Sequence, residues 1–204
     1  IIGIKSLKNK FKLNKFSCLE SQISNIADDI AYNNHDIQDG LKAGLFTLDE
    51  LLEINFFKDI HKKYKNKKNI ELQVLIHQII RDSIDLMVKD IINNTIQNIK
   101  KNNIKKINNV FDNKQKTVEF SDKLKDIDDD IRNFLRRNMY DHKDVQKRNN
   151  EGKKIVNFLF KMLYSSTKNN FSIQNFDKNK ARSVADFISG MTDRYAINLY
   201  EELK

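Results

Sequence analysis

The sequence predicts an all-α protein. The chain has no proline and only five glycines among 204 residues, so helices are seldom interrupted. Apolar residues recur at helical spacing through most of its length, and no segment shows the alternation of a half-buried strand. A chain of this size buries roughly 70% of its unfolded surface. We therefore expect one helical domain over residues 19–204, preceded by a basic lead-in over residues 1–18.

The first two helices are predicted from apolar spacing and from their end signals. Apolar periodicity indicates a helix over about residues 19–43, and Gly44 suits the position just past its end. Thr47 followed by Glu50 is typical of a capping box, so a second helix is expected to begin there and to run towards Tyr64.

The rest of the chain predicts further helices separated by charged segments. A charged loop over about 62–68 leads into a long helix over about 70–99. Residues 100–121 are rich in lysine and asparagine and predict a flexible loop. The remaining helices are expected at about 124–135, 155–164 and 177–203. The last of them is expected to bend at Gly190.

The charge and the cysteine content narrow the classes of partner and compartment. The net charge is +9, which attracts polyanions such as nucleotides and nucleic acid. Because the basic residues are scattered among 28 acids, a general preference for lysine explains the charge at least as well. One cysteine excludes an intrachain disulfide and fits a reducing cytoplasm. With no apolar run near 18 residues and no recognisable signal peptide, we expect a cytoplasmic protein without a membrane span.

A polar stripe lies along the first predicted helix. Asp28, Tyr32 and Asp36 are spaced at i, i+4 and i+8, which places them within about 80° of one another. The opposite face is apolar and consists of Leu19, Ile23, Ile26, Ile30, Ile37 and Leu41. Two carboxylates and a phenol suit a divalent cation with a phosphorylated, hydroxyl-bearing ligand. They equally suit an ordinary solvated face, so the stripe alone leaves both interpretations open.

Three segments of the chain resemble one enzyme family. Residues 17–44 read SCLESQISNIADDIAYNNHDIQDGLKAG, and residues 184–196 read VADFISGMTDRYA; a weaker match runs from Phe134 to His142. Together they resemble the bacterial dGTPase-like deoxynucleoside triphosphate triphosphohydrolases of the HD-domain superfamily. The resemblance implies an HD-domain-like helical bundle. It also implies metal-dependent hydrolysis of a deoxynucleoside triphosphate, with dGTP expected, to the deoxynucleoside and triphosphate.

The resemblance implies roles for five residues. Asp28 corresponds to the family's last metal ligand, and the expected ion is Mg²⁺ or Mn²⁺, which bind oxygen donors. Tyr32 is expected to reach a phosphate oxygen or the sugar, and Asp36 to accept a hydrogen bond from the 3′-hydroxyl. Asp29 and His35 are expected beside the nucleotide. For Asp29 a solvated or salt-bridged acid, and for Asp36 a plain surface acid, is a comparable alternative. For Tyr32 the alternative is a half-buried aromatic that covers the helix. No residue is assigned to catalysis.

The chain also departs from the family pattern. The family's upstream His and its His-Asp metal pair have no counterpart here, since His35-Asp36 comes two helical turns after Asp28. We expect the C-terminal part of a longer enzyme, without the N-terminal helices that carry most metal ligands. Its expected partners are the deoxynucleoside triphosphate, a missing N-terminal half or partner chain, and further copies of itself. Two alternatives are an inactive truncated remnant and a basic helical module that binds nucleic acid through the 100–121 segment.

Overall fold

The protein is helical throughout the part of the chain that the structure describes. The computed structural model describes residues 15–65, 70–166, 171–176 and 178–204. Its α-helices are α1 (Leu19–Lys42), α2 (Leu48–Leu51), α3 (Asn55–Lys62), α4 (Leu72–Lys101), α5 (Ile107–Phe111), α6 (Asp122–Leu135), α7 (Lys143–Ser165), α8 (Lys180–Ser189) and α9 (Asp193–Leu203). A π-helical turn, Arg136–Tyr140, continues α6, and no strand occurs within these ranges. The all-α prediction is confirmed.

The helices form two compact units. The first, Ile1–Tyr140, contains α1 to α6 and the π-helical turn, and the second, Asp141–Lys204, contains α7 to α9. The domain expected over residues 19–204 is thus made of two compact units. Most of the basic lead-in, the end of the charged loop predicted at 62–68, and Asp177 lie outside the described residues.

The core of the first unit lies where α1 packs against α4 and α6, and where α3 packs against α4. Its fully buried apolar side chains are Ile37, Leu51, Phe57, Ile60, Ile79, Met87, Ile131 and Leu135. Burying a side chain of this size stabilises the fold by roughly 1.5–3 kcal/mol. The apolar face predicted for α1 is only partly buried, because Ile23 is 48% exposed. The neighbouring Gln22 takes the inward position instead and is 7% exposed.

Helix α1 ends as its sequence predicts. Gly44 has a φ of 67°, a left-handed conformation that costs glycine little. Its N–H donates to the carbonyl of Leu41 at 3.3 Å, and the Leu45 N–H donates to the carbonyl of Gly40 at 3.0 Å. This pair of bonds is the Schellman motif, which satisfies two carbonyls at the end of the helix.

The helix expected from residue 48 to residue 64 is two helices. The capping box is confirmed, since the Thr47 N–H donates to Glu50 Oε2 at 2.7 Å and the Glu50 N–H donates back to Thr47 Oγ1 at 3.3 Å. The chain then turns between α2 and α3. In a continuous helix Leu51 and Ile60 would lie about 180° apart. The turn lets both reach the core, where they are 0% and 1% exposed.

The lysine- and asparagine-rich segment at 100–121 is not a single open loop. It contains α5, and four of its side chains are buried: Val110, Thr117, Val118 and Phe120. Amide side chains of α1 and α4 hold its backbone. Gln22 Oε1 accepts the N–H groups of Thr117 and Val118 at 3.0 and 3.1 Å, and Asn98 Nδ2 donates to the Thr117 carbonyl at 3.1 Å. The amide side chains of Gln22 and Asn98 therefore hold this segment against α1 and α4.

The second unit consists of α7 packed against α8 and against α9. Helix α7 begins twelve residues before the predicted start at 155, because Val145 is the single large apolar residue in its first three turns and they show no apolar periodicity. The final region is two helices: α8 ends at Ser189, with Gly190 as its C-cap, and Thr192 Oγ1 caps α9 by accepting the Tyr195 N–H at 3.3 Å. Buried residues include Leu159, Leu163, Val184 and Leu199. Within the described ranges, no helix is both long and apolar enough to cross a membrane.

Candidate functional site

The outward face of α1 carries three of the five predicted site residues. Asp28, Tyr32 and His35 are all exposed, and Tyr32 is 59% exposed. Residues at i, i+4 and i+7 lie within about 60° of one another on a helix, so the three side chains share one solvent-facing strip. The Asp28 carboxylate is not packed among hydrocarbon and is accessible to a cation.

Asp36 lies at the edge of this strip and is oriented by a residue from another helix. Its half-buried carboxylate accepts a hydrogen bond from the phenol of Tyr140, at the end of the π-helical turn. Burial raises the pKa of Tyr140 far above its ordinary value, and the Asp36 carboxylate and Tyr32 raise it further. The phenol therefore stays protonated and keeps donating. Turns of this π type occur frequently at functional sites.

Asp29 points to a different neighbour. Its carboxylate lies 3.3 Å from an Nη atom of Arg132 on α6. The same guanidinium donates from Nε to Asp128 Oδ2 at 2.7 Å, and Asn33 Nδ2 donates to Asp128 Oδ1 at 3.2 Å. Burial raises the pKa of the Asp128 carboxyl, and the Arg132 guanidinium opposes that rise. This network ties α1 to α6, so the structure places Asp29 in an interhelical ion pair.

Tyr140, Arg132 and Asp128 are residues that sequence reasoning did not single out. Tyr140 lies inside the weak match at 134–142, which was the one signal available for it. Its hydrogen bond to Asp36 joins residues 104 positions apart. Helical periodicity carries no information over such a separation.

The described residues do not form a metal site by themselves. No group of three or more His, Cys, Asp or Glu side chains in the described part of the chain is arranged to hold an ion. Mg²⁺ and Mn²⁺ require several oxygen or nitrogen ligands, and one monodentate carboxylate does not displace enough water to retain them. A divalent cation therefore does not fit the described residues alone.

A wide groove lies elsewhere in the first unit, between α3, α4 and α6. Its volume is about 1210 Å³, and none of the five predicted residues lines it. Its wall carries both acidic and basic residues, among them Asp59, Asp126, Asp130, Lys123, Arg136 and Arg137. A wall of mixed charge does not select a polyphosphate, so the groove is a weaker candidate site than the face of α1.

Comparison with known proteins first gives the class of one region of the chain. A family model described as the phosphohydrolase-associated domain matches residues 118–202. The matched region includes Asp128, Arg132 and Tyr140. It does not include α1.

Curated relatives that share one name are similar to this chain. Proteins named deoxyguanosinetriphosphate triphosphohydrolase-like protein match almost the whole chain. The one from Pelagibacter ubique is 52% identical over 98% of this chain and 54% of its own length. Those from Bartonella henselae and Nitrosomonas europaea are 34% and 32% identical, over 96% and 98% of this chain and 51% and 54% of their own lengths. Over almost its whole length the chain is similar to these dGTPase-like proteins, and it spans about half the length of the curated relatives it matches.

Proposed function

We propose that this chain is one part of a metal-dependent deoxynucleoside triphosphate triphosphohydrolase, with dGTP as the expected substrate. The similarity to proteins named deoxyguanosinetriphosphate triphosphohydrolase-like supports the reaction class. The outward face of α1 supports the location of the site, since it presents Asp28, Tyr32 and His35 to solvent beside an oriented Asp36. The products would be the deoxynucleoside and inorganic triphosphate.

In this proposal Asp28 contributes one ligand to an Mg²⁺ or Mn²⁺ ion. The other ligands come from a polypeptide segment that packs over the exposed face of α1. Two observations support this arrangement: Asp28 is exposed, and the chain spans about half the length of its relatives. Because the described residues do not hold an ion alone, we assign no catalytic step to this chain in isolation.

The remaining α1 residues bind the nucleotide in this proposal. Asp36 accepts a hydrogen bond from the 3′-hydroxyl of the deoxyribose, and Tyr140 fixes the direction of its carboxylate. Tyr32, one turn before Asp36, contacts the sugar or a phosphate oxygen, and His35 lies near the phosphates. Asp29 is left out of the nucleotide contacts, because Arg132 already pairs with its carboxylate.

The test is reconstitution. The chain is incubated with dGTP and Mn²⁺, with and without a polypeptide that carries the upstream His and His-Asp residues of a full-length relative, and released triphosphate is measured. We expect turnover only with both polypeptides. Asp28→Asn should reduce it more than about 100-fold, beyond the loss typical of outer-shell changes. Asp85→Asn, an exposed carboxylate on α4, serves as the matched control and should leave turnover unchanged.

Two results would contradict parts of the proposal. Unchanged turnover in the Asp28→Asn protein would refute its role as a metal ligand. Absence of triphosphate from every combination, with both polypeptides folded, would favour the inactive remnant over the enzyme.

A further inference from the structure

Helix α4 has two apolar faces, and one of them is exposed. Ile80, Met87 and Ile91 face the core of the first unit. Ile92 and Ile96 lie one turn apart, about 100–140° around the helix from Ile91. They are 53% and 46% exposed, so no other element within the described residues buries this second face. A helix that is apolar on more than one face normally packs against a neighbour on each of them.

The exposed apolar surface continues from α4 onto α1 and α5. Asn34 Nδ2 of α1 lies 3.6 Å from Met87 Sδ of α4. Leu19 and Ile99 line one shallow groove of about 300 Å³, which α5 also lines. Helices α1 and α4 are therefore antiparallel, and Ile23, one turn after Leu19, lies beside the last turns of α4. We define the α1–α4 apolar patch as Leu19, Ile23, Ile92, Ile96, Ile99 and Ile107.

Most of the patch is open to solvent. Four of its side chains are between 46% and 59% exposed: Ile23, Ile92, Ile96 and Ile107. A contiguous exposed apolar surface is rare on a monomer and typically marks an interface. The polar strip around Asp28 does not offer comparable contact, because removing charged groups from water opposes association. Ile23 and Asp28 lie about 140° apart on α1, so one polypeptide packed against α1 can cover the patch and still reach Asp28.

Lysines border one end of the patch. Lys105 and Lys106 line the same groove as Ile107, and Lys100 and Lys101 end α4. All four lysines are exposed, and within the described ranges none of them forms an ion pair with a carboxylate. A polypeptide that packs on the patch is therefore attracted if it places acidic side chains at this end. A second copy of this chain, which carries a net charge of +9, is repelled instead.

We propose that the α1–α4 apolar patch is the docking surface for the polypeptide that supplies the other metal ligands. The segment that docks is an amphipathic helix, whose apolar stripe packs on the patch and whose acidic residues meet the four lysines. This assignment rests on the proposed function, which requires a second polypeptide beside Asp28. The length of the relatives provides a source for that polypeptide, because the match covers 98% of this chain but only 54% of the Pelagibacter ubique protein.

The experiment co-expresses the full chain, carrying an affinity tag, with the part of the Pelagibacter ubique relative that lies outside the match, and measures how much of that polypeptide co-purifies. The patch variant carries Ile92→Lys and Ile96→Lys. Its matched control carries Val156→Lys and Ile197→Lys, at two apolar residues of the second unit that are both 48% exposed, and adds the same charge. We expect the patch variant to retain at least about 10-fold less polypeptide than the unchanged chain, and the control to retain as much. Circular dichroism checks that every variant is folded.

A third variant separates docking from the proposed reaction. The Asp28→Asn protein should co-purify as well as the unchanged chain although it loses turnover, because Asp28 lies outside the patch. Equal co-purification by the patch variant and the unchanged chain would overturn the docking surface and leave the proposed function standing. The docking surface would also be overturned if nothing co-purified with the unchanged chain, or if sedimentation velocity showed a homodimer that the patch variant loses. Assembly on the patch without release of triphosphate from dGTP would overturn the proposed function alone.

Discussion

Two adjacent acidic residues on α1 have different surroundings. Asp28 and Asp29 are adjacent in the sequence and lie about 100° apart around the helix. Asp28 faces solvent, whereas Asp29 reaches Arg132 on α6 at 3.3 Å. The carboxylate that remains accessible is the one to which the resemblance gives a metal-binding role, and the other helps to join two helices.

The pair formed by Tyr140 and Asp36 makes a pH-dependent prediction. The pKa of the Tyr140 phenol is raised above its ordinary value of 10.0 in the folded protein, mainly by burial and by the Asp36 carboxylate. The folded state therefore holds this proton more tightly than the unfolded chain does. Its contribution to stability is complete below about pH 10 and is lost as the pH rises further.

We expect Tyr140→Phe to remove this dependence. Urea unfolding between about pH 9 and 11 should show the unchanged protein losing stability more steeply than the variant. Near pH 7 the variant should be less stable by about 1 kcal/mol, because one hydrogen bond is lost. Tyr195→Phe, at a site 48% exposed, is the control and should follow the unchanged protein. Equal slopes for the Tyr140→Phe variant and the unchanged protein would contradict the pairing.

At the scale of the elements, the position of a glycine within a helix determines what it contributes. Gly40 lies inside α1, and a Cβ added there would be 2.2 Å from Cε1 of Phe46. The Phe46 ring in turn contacts Phe134 edge to face, with the ring centroids 4.9 Å apart. Gly40 thus lets the loop after α1 close against α6. Gly152 lies inside α7, where an added Cβ would meet nothing within 4 Å.

Replacing Gly40 and Gly152 with alanine should therefore change the free energy of unfolding in opposite directions. Gly40→Ala is expected to lower the free energy of unfolding by about 1–3 kcal/mol, because the methyl group displaces the Phe46 ring. Gly152→Ala should raise it by about 0.5–1 kcal/mol through better helix propensity. Denaturant unfolding followed by circular dichroism measures both. Stabilisation by Gly40→Ala would mean that the ring does not pack on that backbone.

At the scale of the whole molecule, the described residues combine a packed helical core with one carboxylate of a proposed metal site. Helices α1, α4 and α6 contribute to one continuous core in the first unit. The metal ligands, in contrast to the core, are not assembled, because no group of three metal-binding side chains forms within the described ranges. Stable folding and metal binding are therefore expected to separate in experiments on this chain.

We expect about 1 mM Mn²⁺ to raise the melting temperature of this chain by less than about 2 °C, because a weakly bound ion contributes little free energy. With the polypeptide that carries the upstream ligands, the increase should be larger. Asp28→Asn should abolish that increase, and Asp85→Asn should not. Differential scanning fluorimetry measures these shifts. A large increase for the chain alone, lost in Asp28→Asn, would show that the chain already holds the ion.

The sequence by itself determined the features that depend on neighbours a few residues apart. Helical spacing predicted the all-α fold, Gly44 predicted the end of α1, and the pair of Thr47 and Glu50 predicted the start of α2. These signals are local because helix periodicity and capping act within one or two turns. The family resemblance was likewise carried by short contiguous segments.

Only the tertiary structure decided which side chains meet. It distinguished Ile91, which is 8% exposed, from Ile92, which is 53% exposed, although both are apolar and at helical spacing. It also packed the polar 100–121 segment and brought Tyr140 to Asp36. Each of these outcomes depends on how helices far apart in the chain pack together. The sequence pattern within a single helix does not contain that information.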